Sequence, residues 1–361
     1  DAAAANVEQA FADQARAARL RPRQTAVSEF GLPLTGGDAA TGPAAGEATP
    51  EDAMDGEAMD GDGAAGDGIG GGGDGEGPDG IGGDGATALA TPTASATPAW
   101  LRGEGPYGEL RPALFFSDLH CNVGMAQVMG AAARALGAEL VLDGGDTTMD
   151  GTAVERYCVD QIAAAIPEEA AWVAVIGNHD SVQTADQEAA AGALVLDGKV
   201  ETVAGLRILG DADPTHTEVA LGTSQRDQES LADVAERLAD TACEDGPIDF
   251  LLVHQPAMAQ VPLASGCVPA ALTGHMHTRS NPKVVGGGVF YTQASTGRDN
   301  AETTNLGPLG SPAEMTILLF DSDGRIAAWQ LLTVNPDASA KLSAIKAWPA
   351  APGPDPASER K

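Results

Sequence analysis

Between about residues 110 and 334, short apolar runs alternate with helical patterns, and run after run stops on a turn built from Asp, Asn, His and Gly. This alternation constrains the chain more than any other feature. Apolar runs of four to eight residues spaced by helices read as strands of a layered α/β domain, and open sheets of that kind place their ligand sites at the carboxyl ends of the strands. The strands are expected at 112–117 (PALFFS), 139–142, 171–176 (AWVAVI), 248–253 (IDFLLV), 268–272 and 289–294, with a last pair over 316–334 joined around Asp323-Gly324. Residues 194–210 read as strands joined by a hairpin at Asp197-Gly198. Helices are expected at 124–136, 152–166, 181–191 with Ser181 as N-cap, and 225–241 with Leu231, Val234 and Leu238 on one face. The later strands are expected to pair antiparallel.

The turns after these strands are chemically alike. The first ends in Ser117-Asp118-Leu119-His120, the second in Gly144-Gly145-Asp146, and the third in Gly177-Asn178-His179-Asp180. The IDFLLV strand ends in His254-Gln255-Pro256, and the next in Gly274-His275-Met276-His277. Only six histidines occur in the chain, and five of them follow predicted strands. Any one of them alone reads as a solvated or satisfied residue; five together do not. Imidazole with carboxylate and amide oxygen is a borderline donor set suited to Mn, Fe, Zn or Co. The two-residue spacing of Asp118/His120 and His275/His277 points both side chains of each pair to one side of an extended segment. Glycine beside such donors lets the backbone turn and approach closely. No thiolate cluster is present, so a structural Cys-zinc site is not implied.

The ordered set D-x-H, G-D, G-N-H-D, H and G-H-x-H over 118–277 resembles the calcineurin-like metallophosphoesterases. The resemblance implies an α/β fold, a four-layer αββα sandwich, with two divalent metal ions (Mn, Fe or Zn) between the strand ends. Carried over by position, it implies that Asp118, His120 and His277 hold one metal, that Asn178, His254 and His275 hold the other, and that Asp146 bridges both. His179 is then the histidine beside the scissile phosphate, with Asp180 orienting it. Two-metal chemistry implies a bridging hydroxide as nucleophile and His179 as the acid for the leaving group. The second motif is followed by Asp150, read as an outer or surface residue. Gln255 stands where some members carry a further histidine. VETVAGLRILGDADP (200–214), LVHQP and CVPAALTGHMH also look like an exported branch found in actinobacterial membrane proteins. The competing reading is a non-catalytic scaffold or cell-surface interaction protein on the same fold.

Residues 36–99 hold thirteen acidic residues, no Lys or Arg, and 19 of the 46 glycines. Small repeats occur there: AMDG at 53–56 and 58–61, DGIGG at 67–71 and 79–83. Such sequence cannot bury enough apolar area to offset chain entropy, so a disordered, self-repelling linker is expected. Calcium binding is the sharper alternative, but from Asp60 the twelfth position is Gly71 rather than Glu. An interaction arm is another. Before the linker, residues 1–35 carry Val7, Phe11, Ala15 and Ala18 at helical spacing. After Asn335 a disordered Pro/Ala-rich tail is expected.

With 52 acidic against 20 basic side chains the formal charge is −32. A broad grip on nucleic acid polymers or anionic membranes is therefore not expected. A small-molecule or membrane-associated phosphoester is the expected partner, and nothing fixes the oligomeric state. The first residue is Asp1, which leads us to expect a trimmed product whose missing N-terminal segment supplied a signal or anchor, and an extracytoplasmic location. Four cysteines allow three pairings, or four reduced thiols. Proximity in a βαβ layout favours Cys121–Cys158 and Cys243–Cys267. His216 reads as a solvated loop residue. Asn122, Arg279 and Arg298 flank the motif loops and are read as loop polarity or phosphate contacts.

Overall fold

The computed structural model describes residues 2–20 (side chains to 14), 109–218, 221–226, 228–297 and 308–351. The acidic segment 36–99, Arg298, and the side chains of Ala15 and Ala18 lie outside the described residues, as does everything after 351.

Helix α1 (Ala2–Leu20) precedes β1 (Arg111–Phe116), α2 (Val123–Leu136), β2 (Leu140–Asp143), α3 (Arg156–Ala165), β3 (Ala171–Ala174), α4 (Val182–Ala190) and β4 (Leu194–Val195). The chain then forms β5 (Val200–Val203), β6 (Leu206–Asp211), β7 (Thr215–Glu218), β8 (Gly222–Gln225), α5 (Leu231–Glu244), β9 (Phe250–Val253), α6 (Pro256–Ser265) and β10 (Ala270–Thr273). It closes with β11 (Ser280–Val285), β12 (Gly288–Thr292), β13 (Ala313–Phe320), β14 (Ile326–Val334), β15 (Ala340–Leu342) and β16 (Lys346–Ala347). One sheet runs β15-β14-β13-β1-β2-β3-β4, with β16 also on β14; the other runs β11-β12-β10-β9-β6-β5.

Strand β1 shows why two sheets stack. It is apolar at nearly every position, as a strand covered on both faces must be. Alternation still sorts its side chains. Leu114 and Phe116 join a core with Val7, Phe11, Met129 and Ile162 of the helices on the outer face. Ala113 and Phe115 join Leu142, Phe250, Leu252, Tyr291 and Phe320 between the sheets. Strand β9 does the same from the other sheet: Leu251 and Val253 pack with Val234, Leu238, Met258 and Leu263 of α5 and α6. Three cores between four layers make the αββα sandwich, and β1, β2 and β3 pair parallel as β6, β9, β10 and β12 do.

Several sequence expectations change. The hairpin between β5 and β6 turns at Ala204-Gly205, both with positive φ (49° and 76°), as a tight primed turn needs. Asp197-Gly198 instead lies where the chain leaves β4 of one sheet for β5 of the other. Gln225 is paired in β8, and α5 starts later, at a capping box of Ser230 and Asp233. Helix α6 escaped the reading because Pro262 lies inside it and it shows no polar face. The tail is not unstructured throughout: β15 and β16 extend the first sheet, and Trp348 packs on the inter-sheet core. Cys121–Cys158 and Cys243–Cys267 are the disulfides, with Cα–Cα separations of 5.1 and 5.2 Å.

Candidate metal centre

The parallel strands of both sheets end at the same edge of the sandwich, so the turns after β1, β2, β3, β9 and β10 face one another. The backbone there is held in an unusual state. Asp118, His120, Asp146, His275 and His277 all take positive φ, between 46° and 68°. Left-handed backbone costs a non-glycine residue free energy, and it persists where surrounding structure dictates it. Here cross-loop main-chain bonds do so: the amides of Asp118 and His120 donate to the carbonyls of Gly145 and Asp146, and that of Gly274 to His254. Gly177 packs so tightly on Asp146 that a Cβ would collide with its carboxylate.

Two overlapping donor groups result. Asp118, His120, Asp146 and His277 present ligand atoms within 4.8 Å of one another, and so do Asp146, His254 and His275. Asp146 belongs to both. In the first group His120 Nε2 lies 3.0 Å from His277 Nε2 and 3.8 Å from Asp146 Oδ2, and His277 Nε2 is 3.3 Å from Asp118 Oδ1. In the second, His254 Nε2 is 3.1 Å from Asp146 Oδ2 and 3.1 Å from Asn178 Oδ1. His275 Nδ1 is 2.8 Å from the same Asn178 oxygen. All seven residues named from the sequence as metal ligands therefore meet at one place.

The donor chemistry fits cations. His254 Nδ1 donates to the Gly144 carbonyl at 2.7 Å, so its neutral ring turns a lone pair at Nε2 toward two oxygens that are themselves acceptors. The ring nitrogens of His120 and His277 likewise face each other. Positive charge between the His254 nitrogen and those two oxygens makes the arrangement favourable, and without a metal a proton fills that role. Burial pulls His254 down, but the Asp146 carboxylate outweighs it and the imidazole sits well above its ordinary range. Burial pushes Asp146 up, yet His254 and His120 beside it hold it below the usual carboxylate range. His120, buried and with no carboxylate as close, is pulled down to about 4 and presents a neutral ring.

His179 stands next to this cage. Its ring meets that of His120 edge to face at 5.0 Å between centroids, and its amide donates to Asp146 Oδ1 at 2.8 Å. The expected role of Asp180 is corrected. His179 Nδ1 is held by the Met149 carbonyl at 2.7 Å. The Asp180 carboxylate is spent on the loop beneath. Its Oδ2 accepts from the amides of Asp146 (2.8 Å), Gly177 (2.9 Å) and Thr147 (3.3 Å), and its Oδ1 from the Thr148 amide (2.9 Å) and hydroxyl (2.8 Å).

Other flanking residues also find structural partners. Asn122 caps α2, accepting from the Met125 amide and donating to the Gly297 carbonyl. Arg279 pairs with Glu314 at 2.8 Å and stacks on Trp329. Gln255 reaches Thr215 at 3.4 Å, and the Asp150 amide donates to Glu155. His216 is half-buried on β7, 4.0 Å from Glu218, rather than in a solvated loop.

Three supporting residues had little sequence signal. Arg226 donates to the carbonyls of Gly177, Asp180 and Thr215, tying the G-N-H-D turn down. Asp143, the last residue of β2, accepts from the Gly145 amide and the Thr147 hydroxyl. Burial, then the charge of Asp180, pushes its carboxyl up to about 8. Glu188 of α4 is fully buried near it, and burial raises it well above the carboxylate range. Asp143, as a charged residue ending an apolar strand, is the one of these that sequence reasoning had the means to find.

The model of the calcineurin-like phosphoesterase family matches residues 111–279. No curated protein matches the chain. Among solved structures, an archaeal phosphodiesterase is 11% identical, covering 62% of this chain and 99% of its own, with a TM-score of 0.38. A metallophosphoesterase from Sphaerobacter thermophilus is 13% identical over 67% of this chain and 89% of its own, with a TM-score of 0.31. The NAD nucleotidase of Haemophilus influenzae is 15% identical over 65% of this chain and 49% of its own, with a TM-score of 0.36. Five donor turns in the family's order, converging at one edge of an αββα sandwich, lead with the family match to one conclusion: residues 111–279 form a calcineurin-like phosphoesterase domain, a hydrolase module.

Proposed function

We propose that the centre holds two divalent cations and hydrolyses a small or membrane-associated phosphoester outside the cytoplasm. The observation that carries the two-cation reading is the pair of donor groups sharing Asp146. Asp118, His120 and His277 would hold one ion, Asn178, His254 and His275 the other, with Asp146 between them. Bound there, the cations would activate water near neutral pH and offset the charge of the phosphoryl oxygens.

The chain's own groups do the rest. Asp146 is fixed from both ends, its carboxylate by the His179 amide and its amide by Asp180. His179 Nδ1 lies 2.7 Å from the Met149 carbonyl, which fixes the ring and leaves Nε2 as the nitrogen that would pass a proton to the leaving oxygen. The Gly144 carbonyl keeps His254 in the tautomer whose Nε2 is free to ligate. Two disulfides support the extracytoplasmic setting, since such bonds persist in oxidising compartments. The complete donor set weighs against a scaffold role.

Metal content and turnover of a chromogenic phosphodiester, measured on the same preparations, test this reading. Asp146→Ala is expected to lose both ions and all activity. His179→Ala is expected to keep both ions and lose turnover by about 10²-fold or more. Equal loss of metal in the two variants would contradict the assigned roles.

A further inference from the structure

The hairpin of β7 and β8 belongs to neither large sheet, yet one of its residues reaches a ligand candidate of the centre directly. Thr217 grips Asn178 twice. Its amide donates to the Asn178 carbonyl at 2.7 Å, and its hydroxyl accepts from Asn178 Nδ2 at 2.8 Å. The register places Thr217 opposite Thr223 of β8, and their hydroxyls are 2.8 Å apart. Because the Thr217 oxygen accepts from Asn178, its own proton is free to go to Thr223.

This pairing anchors an amide whose other end enters the cage. Asn178 is a ligand candidate only through Oδ1, the atom facing His254 and His275. A carboxamide rotated by half a turn would present an NH2 group there, a donor with no lone pair for a cation. Shape cannot prevent that rotation, because the two ends are nearly isosteric. The Thr217 hydroxyl, which can bond either end, holds the carboxamide in place, and the lone pairs that the cage requires select Oδ1. Arg226, whose amide donates to the Pro214 carbonyl and whose guanidinium bonds the carbonyls of Gly177 and Thr215, seats the hairpin against the same turn.

We propose that Thr217 is a positioning residue for the half of the centre formed by Asp146, Asn178, His254 and His275, and that the hairpin thereby controls occupancy of one of two cation sites. The inference rests on the two-cation reading above. Thr217→Val removes the acceptor while keeping branched shape, strand preference and the main-chain bond.

The test is a manganese titration of metal-free full-length chain by calorimetry, with unfolding of the metal-free protein followed alongside. Wild type is expected to bind two ions. In Thr217→Val one site should keep its affinity and the other should weaken about 10–100-fold, with unchanged unfolding of the metal-free chain. Thr217→Ser should restore the weakened site. Thr217→Ala carries the same expectation should valine disturb the hairpin. Two wild-type-like sites in the valine and alanine variants would overturn the role of Thr217 and leave the two-cation reading standing. Fewer than two ions on wild type would overturn that reading, and the inference with it.

Discussion

Replacing Asp180 by Asn separates two accounts of this residue. In the structure its carboxylate accepts five hydrogen bonds, four from main-chain amides of two different loops and one from the Thr148 hydroxyl. Asparagine keeps the shape but has one accepting oxygen. If the oxygen takes the Oδ2 position, it retains Asp146, Gly177 and Thr147, and the Thr148 hydroxyl can turn round to accept. The Thr148 amide then faces an NH2 group inside the protein. One bond to a charged acceptor is lost, worth about 1.5–3 kcal/mol, and a buried donor is left unmatched, so a total of about 2–4 kcal/mol is expected. Guanidinium chloride unfolding of metal-free protein at neutral pH, followed by tryptophan fluorescence, measures it. Turnover should fall as well, because the Asp146 amide loses a charged acceptor. A variant as stable as wild type to within about 0.5 kcal/mol, with a displaced pH profile of turnover, would show that Asp180 acts on His179 and refute the argument.

Two further outcomes follow from buried groups and cross-links. Asp143 keeps its proton in the folded, metal-free chain up to about pH 8, while an unfolded chain releases it near 4. Between those limits the folded state holds the extra proton, so stability falls as pH rises, by up to about 1.4 kcal/mol per pH unit, and levels off above about 8. Asp143→Asn, which can still accept from Gly145 and donate to Thr147, should flatten that part of the slope; melting of the metal-free protein between pH 5 and 8 reads it, and an unchanged slope counts against a buried neutral acid. Removing the Cys243–Cys267 bridge, whose cysteines are 24 residues apart, with paired serines should cost about 3.5 kcal/mol in the chain-entropy relation. Denaturation under non-reducing conditions checks it, and a loss below about 1 kcal/mol would show that the loop is already constrained without the bond.

What the sequence disclosed, and what it did not, divides along physical lines. The donor residues were legible because each follows an apolar strand, and parallel strands bring their carboxyl ends to one edge whatever the details of packing. Their partners were not. Thr217 lies on a hairpin of Thr, Ser, Gln and Gly with little apolar alternation to mark it, and its role exists only because Asn178 comes within 2.8 Å in space. Met149 acts through its carbonyl, an atom every residue has, so no residue type signals it. Asp180 shows the opposite error. A carboxylate next to His179 in sequence invites the idea of a charge partner, but the turn sends it inward to unsatisfied amides. The β5–β6 hairpin was misplaced for a similar reason: Asp197-Gly198 has turn chemistry, while the turn that closes the hairpin uses Ala204, which carries no such mark.

Helix α1 is joined to β1 through ninety intervening residues, yet Val7 and Phe11 are built into the same core as Leu114 and Phe116, and Asn6 donates to the Ala338 carbonyl. Covalent continuity and structural membership are thus uncoupled at this end of the molecule. A protease that cuts the intervening stretch would leave the helix held by packing alone, in which burial of Val7 and Phe11 contributes about 1.5–3 kcal/mol each. The helix becomes a ligand of its own domain, returning at a rate set by concentration once the tether is gone.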